Sequence, residues 1–255
     1  MRKFFTIASL MALTLSACSE KSASGEVKGE GRVTISNAVA TAVDDSLTEI
    51  SCTTPAAADF SLTIEGVDHT YTATYASVSE FNEGDNYLRL GTYVASVVAG
   101  DVTVEGYDKA TFAGSSEFSV SAREHTDVAI SATIANTLVM VETTDAFKSY
   151  FTEYELTLTT ALGNEFDVTA QSAPLFIAPT SFTVSGTATK QPNQSGAEGV
   201  VVTLPDYEKT DAAARTLYTV KFDVEQAGGA SLTITLNDTL VETHTIETEL
   251  NDNAK

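Results

Sequence analysis

The groups in this 255-residue chain that could do chemistry are few in kind: two cysteines, three histidines and 35 carboxylates. His69, His125 and His244 each stand without a Cys or second His at metal-ligand spacing, so they read as structural residues of loops or strands. No G-x-S-x-G elbow, phosphate loop, H-E-x-x-H helix or dinucleotide fingerprint occurs, and no cofactor is expected. The carboxylates are dispersed. Glycoside hydrolysis needs two of them about 5–9.5 Å apart, a distance that spacing along the chain cannot supply. With no Trp in the chain, sugar stacking would fall to the 9 Tyr. The densest oxygen cluster runs from Glu80 to Tyr87, where Glu83 and Asp85 flank Gly84 and make a weak Ca²⁺ candidate. The spacing is not that of an EF-hand, and a solvated acidic loop is the expected reading, so no metal site is assigned. Cys52 is expected to be a small buried hydrophobe.

Cys18 is different because of what precedes it. Met1, Arg2 and Lys3 form a cationic start, and Phe4 to Leu15 is free of charge and mostly apolar. About a dozen residues are too few to span a bilayer core of ~30 Å, so this reads as a secretory signal over residues 1–17. Leu15-Ser16-Ala17-Cys18 follows, and it resembles the lipobox of bacterial lipoproteins. The resemblance implies that the Cys18 thiol receives a diacylglyceryl group and that signal peptidase II cuts before it. Residues 18–30 then make a lipidated Cys and a tether of small and charged residues, with too little apolar surface to order itself. Two or three acyl chains hold a protein durably. If Cys18 is lipidated, Cys52 has no partner for a disulfide.

The chain carries 14 basic and 35 acidic residues. Removing residues 1–17 takes away Arg2 and Lys3 and no acid, leaving 12 basic residues, a net −23. That charge argues against nucleic-acid binding, and against attraction to anionic lipid through a basic patch. A hydrophobic fraction of 43% belongs to a folded protein, so the acid is surface charge.

The remainder alternates apolar and polar residues with period two, the signature of half-buried strands. Phe60, Leu62 and Ile64 share one face; Tyr71, Ala73 and Tyr75, then Tyr93, Ala95 and Val97, and Val128 to Ile134 repeat it. Turns rich in Gly, Asn and Asp separate the runs, and about seven strands are expected between Gly31 and Ala135. Asn136-Thr137 reads as a joint, after which Asp145 is expected to cap a short helix with Phe147, Tyr150 and Phe151 inside. A second strand series runs through Tyr154–Leu158, Phe166–Val168, Phe182–Val184, Tyr218–Val224 and Leu232–Leu236, with Val241–Ile246 as an edge. The expected fold is all-β: two tandem Ig-like or transthyretin-like β-sandwiches at residues 31–137 and 138–250, with a tail at 251–255.

Gly31-Arg32-Val33-Thr34-Ile35, Leu88-Arg89-Leu90-Gly91-Thr92-Tyr93-Val94-Ala95-Ser96, Phe112 to Val120 and Ile234-Thr235-Leu236-Asn237-Asp238-Thr239 occur in that order. Together they resemble the Bacteroidota surface lipoproteins grouped as domain of unknown function 4493. The two-domain layout is distantly similar to fimbrial anchor and tip proteins of the same bacteria. The resemblance implies a lipid-anchored protein of the cell envelope, at the outer membrane, with no established activity. The expected role is structural or binding, in adhesion or in a fimbria-like surface assembly, without catalysis. A glycan- or protein-binding accessory lipoprotein is the second class, and a hydrolase built on dispersed acids the third. The partners implied are the membrane, through Cys18, and an envelope protein or glycan.

Overall fold

The computed structural model describes residues 29–40, 42–43, 48–191, 199–226, 229–236 and 239–245. Cys18, the signal segment, most of the tether, the Pro192–Gly196 part of one expected turn, the turn at 227–228 and the tail fall outside them. Both halves are β-sandwiches, as the alternation requires.

The first half contains β1 (Glu30–Ala40), β2 (Ala42–Val43), β3 (Thr48–Glu49), β4 (Ser61–Gly66), β5 (Thr72–Tyr75), helix α1 (Val78–Glu83), β6 (Tyr87–Arg89), β7 (Gly91–Ala99), β8 (Phe112–Val120) and β9 (His125–Ile134). Seven of these strands join in the order β5-β4-β7-β8-β9-β1-β6, a sheet that curls around one core. The core faces are the alternating residues picked out by period: Phe60, Leu62, Ile64, Tyr93, Ala95 and Val97 are completely buried. β1 pairs in parallel with β9, the last strand of the half, and antiparallel with short β6 along its first residues.

The second half contains β10 (Thr137–Thr143), helix α2 (Asp145–Tyr150), β11 (Phe151–Thr160), β12 (Glu165–Asp167), β13 (Leu175–Ile177), β14 (Phe182–Lys190), β15 (Val201–Thr203), β16 (Tyr207–Lys209), β17 (Leu217–Gln226), β18 (Gly229–Leu236) and β19 (Thr239–Thr245). One sheet runs β13-β10-β17-β18-β19; the other runs β12-β11-β14-β15, with β16 also on β14. Val139, Val141, Val220 and Phe222 from the first meet Leu156, Leu158, Phe182 and Val184 from the second in one core.

The halves repeat one strand plan. β10, like β1, pairs in parallel with a late strand, β17, and antiparallel with a short one, β13. β11 lies between β12 and β14 as β4 lies between β5 and β7. The hairpin β18–β19 is an addition on the far side of β17.

Two local expectations need correcting. The start of α2 is capped by Thr144, whose Oγ1 accepts the Phe147 amide at 3.1 Å, and Asp145 sits inside the first turn, where its charge favours the helix dipole. Phe147, Tyr150 and Phe151 are buried as expected. The acidic stretch from Glu80 is not a loop from its beginning. Ser77 and Glu80 start a helix: the Ser77 Oγ accepts the Glu80 amide at 3.0 Å, and the Glu80 carboxylate accepts the Ala76 amide at 2.6 Å.

Candidate functional site

Glu83 and Asp85, the calcium candidates, are both exposed. Their segment is tied down for another purpose. Phe81 is fully buried, and Asn82 places its side chain along β1 just beyond β6. There the Asn82 Oδ1 accepts the Ile35 amide at 3.0 Å and its Nδ2 donates to the Ile35 carbonyl at 2.7 Å. The side-chain amide thus copies a strand's donor and acceptor and closes the open edge of β1. Asp85 accepts the Tyr87 amide at 3.4 Å. Among the described residues no group of three His, Cys, Asp or Glu side chains comes together in a metal-ligating set.

His69 is a packing residue. It sits on Gly91, where φ is +151° and an added Cβ would fall 2.7 Å from the imidazole. Its ring meets the edge of Tyr93 at 4.8 Å between centroids, and its Nδ1 lies 2.6 Å from the Asp68 Oδ1. Asp68 also accepts the Thr92 amide at 3.3 Å. These bonds, the one from His69 first, hold the Asp68 carboxyl below the ordinary aspartate range. Burial pushes the Tyr93 phenol up; it donates to the Arg89 carbonyl at 2.9 Å. Tyr93, two residues after Gly91, is fully buried, and the bare Cα of Gly91 makes room for His69. His125 is exposed on β9, bonded to Thr34 at 2.8 Å. Cys52 is half-buried, its thiol pushed up by desolvation and then by Asp108.

Two places gather polar side chains from distant parts of the chain. The first is the end of the first sandwich where the chain enters at Gly29. Register places Tyr87, Arg32 and His125 side by side across β6, β1 and β9, and Arg89 beside Glu30 in the next outward row. Alternate residues of β1 and β6 are buried, so these face out, and Tyr87 is 55% exposed. Arg123, in the β8–β9 turn with φ +62°, donates its amide to the Glu30 carbonyl at 2.9 Å and brings a third exposed guanidinium to the same end.

The second is the seam between the halves. The β7–β8 loop is shaped at its start by Asp101, which accepts the Thr103 amide and hydroxyl at 2.9 and 2.7 Å. It then sends Glu105 into the second half. One carboxylate oxygen accepts the Thr160 hydroxyl at 2.6 Å and the Asn164 side-chain amide at 2.8 Å; the other accepts the Ala178 amide at 2.9 Å. Next along the loop, Gly106 exchanges both backbone bonds with Phe176, at 2.9 and 3.1 Å. Buried Asn136 finishes the joint: its Oδ1 accepts the Thr111 amide at 2.6 Å and its carbonyl accepts the Arg215 amide at 2.8 Å. Phe176 and Leu138 pack in the first core. Nothing in the sequence marks Glu105 out among so many acids.

Residues 29–252 match the family described as Domain of unknown function (DUF4493). The chain belongs to this family. No curated protein matches it by sequence. Among solved structures, the DUF4493 chain is similar to a proposed polysaccharide-binding protein (DUF1812) from Bacteroides thetaiotaomicron, at 11% identity, over 86% of this chain and 99% of that one, with a TM-score of 0.44. It is similar to a proposed cell adhesion protein from Bacteroides ovatus at 10% identity, over 84% of this chain and 100% of the other, with a TM-score of 0.40. A third likeness is to a proposed cell adhesion protein from Bacteroides eggerthii, at 9% identity, over 82% and 95%, with a TM-score of 0.40.

Proposed function

We propose that this DUF4493 chain is a lipid-anchored protein of the cell envelope, held at the outer membrane through Cys18, that works by binding, in adhesion or surface assembly, without turnover. The observation that carries the anchor is the run from a cationic start through an apolar stretch to Leu15-Ser16-Ala17-Cys18. The architecture suits the reading. A short segment precedes two sandwiches that are locked at Glu105, Gly106 and Asn136, so surfaces on the second sandwich are carried away from the attachment point as one piece. Within this reading, β19 lies at the end of its sheet, paired among the described residues with β18 alone, and offers a free edge to a partner strand.

The test is metabolic. Cells expressing the full chain are labelled with palmitate, and the protein is followed by mass and by fractionation of the envelope. The wild-type chain should take up label and lose residues 1–17; Cys18→Ala should remain an unlabelled precursor. Equal labelling of the variant would refute the anchor. The binding half is tested by capturing partners from envelope extracts while assaying polysaccharide, ester and peptide hydrolysis. Turnover lost on replacing a single Asp or Glu would refute it.

A further inference from the structure

Among the described residues the outer strands of this fold are short or covered, with one exception. β5, β6, β12, β13, β15 and β16 are each three or four residues long, and Gly106 covers β13. Where β1 outruns β6, Asn82 bonds both backbone groups of Ile35. β10 repeats the device where it outruns β13: the Gln171 Oε1 accepts the Val141 amide at 2.7 Å, and its Nε2 donates to the Val139 carbonyl at 2.9 Å. β19 has no such cover. It is seven residues long, pairs with β18 on one side, and contains no Pro or Lys to blunt its other edge.

What fits that edge is legible in its own residues, Thr239-Leu240-Val241-Glu242-Thr243-His244-Thr245. Register puts Glu242 beside Ile234 and His244 beside Leu232, which stand beside Val220 and Phe222 in turn. Glu242 and His244 thus occupy the core-side face of the sheet, at its rim. Charged positions there oppose pairing with another strand unless each meets its complement. Two copies of one strand that extend a sheet run antiparallel about a twofold axis perpendicular to it. Residues opposite each other then share a face, so the axis passes through a residue. An axis at Glu242 sets Glu against Glu, and one at His244 sets His against His. Val241 lies in the register shift between Leu240 and Glu242. An axis at Thr243 sets Glu242 opposite His244 twice, an acceptor against a donor, and Val241 opposite Thr245 twice.

We propose that β19 pairs antiparallel with β19 of a second copy of this chain, about a twofold axis at Thr243, and joins the two five-stranded sheets edge to edge. The proposal deepens the binding reading above by naming the chain itself as the partner of its free edge. The contact is about five residues a side, against roughly 20–30 in a standard interface, so it is weak between chains free in solution. Chains held on one membrane meet at a raised effective concentration, where a weak contact suffices. In this respect the proposal rests on the anchor reading.

The test is cross-linking of the full chain, carrying Cys52→Ser, in the cells that display it. Thr243→Cys places two cysteines directly opposite each other, with Cα atoms about 4.5–5.5 Å apart, within disulfide reach. Thr245→Cys places them four residues apart along the strand, about 14 Å, out of reach. Under copper–phenanthroline oxidation, Thr243→Cys should give a dimer that reductant dissolves, and Thr245→Cys should not. Added to Thr243→Cys, His244→Glu opposes Glu with Glu at both symmetric pairs and should weaken pairing about tenfold or more. Exchanging the two residues, Glu242→His with His244→Glu, should restore it. Unchanged hydrogen exchange within β7 and β14 shows that each variant is folded. No dimer from Thr243→Cys in a palmitate-labelled chain, equal dimer from Thr245→Cys, or a dimer indifferent to His244→Glu overturns the pairing. A dimer from Thr243→Cys in a chain that takes up no palmitate supports the pairing and overturns the anchor reading instead. If neither label nor dimer appears, the purified chain is oxidised at millimolar concentration, where absence of the Thr243→Cys dimer overturns the pairing too.

Discussion

Replacing Glu105 by Ala should uncouple the two halves. In the folded protein its carboxylate accepts three hydrogen bonds, all from beyond residue 137. Two of the donors are buried: Thr160 and Ala178 are each 5% exposed. The third, from Asn164, lies at the surface and can be replaced by water. A buried donor left without an acceptor costs about 1–3 kcal/mol, so two give roughly 2–4 kcal/mol once partial hydration of the half-exposed carboxylate is allowed for. In a body of this size each kcal/mol lowers the melting temperature by about 2–4 °C, which puts the loss at roughly 4–16 °C. Calorimetry should show a lower and broader transition, separating toward two. Hydrogen exchange gives the local reading, since the Ala178 amide should lose protection while the amides of β4 and β7 keep theirs. Glu117→Ala, an exposed acid on β8, should change stability by about 0.5 kcal/mol or less. An Ala178 amide as protected in the variant as in the parent, with an unchanged melting temperature, would refute the seam as a coupling element.

Three further outcomes follow from the same geometry. Gly91→Ala should lower stability by about 1–3 kcal/mol in denaturant titration, because φ is +151° and the new methyl meets the His69 ring at 2.7 Å; an unchanged midpoint would refute the close approach. The Asp68 carboxyl is held below its ordinary range in the folded state, so its contribution is present above the unfolded value and lost as pH falls through the folded one; thermal scans below about pH 4 should show this loss, and Asp68→Asn should reduce the dependence. We propose that the boundary between separately folding units lies at Asn136-Thr137. A fragment ending at Thr137 should fold cooperatively by circular dichroism but melt below the intact chain, since it lacks Leu138 and Phe176 from its core and the donors to Glu105.

The strands legible in the sequence were those with one wet face. β4, β7 and β9 alternate cleanly because their inner residues are buried and their outer ones are not. β13 was missed for the opposite reason. Leu175, Phe176 and Ile177 are all buried, between Pro174 and Pro179, so no period exists to detect. The helix α1 was legible in principle, since Ser77-x-x-Glu80 is a capping pattern, but the surrounding acids read as a solvated loop. Glu105 gave no signal, and Asn136 read as a joint without showing what it would bond. Their partners lie 25 to 79 residues along the chain, and only the closed fold brings them together. The grouping of Arg32, Arg89 and Arg123 was not legible because it depends on register: Arg89 reaches β1 only through the short pairing of β6.

The parallel pairing of first with last strand sets how the protein bears a pull. Held by its N-terminal end and tugged from the second sandwich, the first sandwich is loaded at the start of β1 and the end of β9. Because the two strands run the same way, that tension slides one along the other. The nine register pairs from Arg32–His125 to Ala40–Thr133 are strained together and must fail together, instead of opening one by one like a zip. β10 and β17 repeat the arrangement over Leu138–Leu217 to Thr143–Phe222. A body built this way resists shear along its own axis, and its lifetime under force is governed by the height of the unfolding barrier and not by its equilibrium stability.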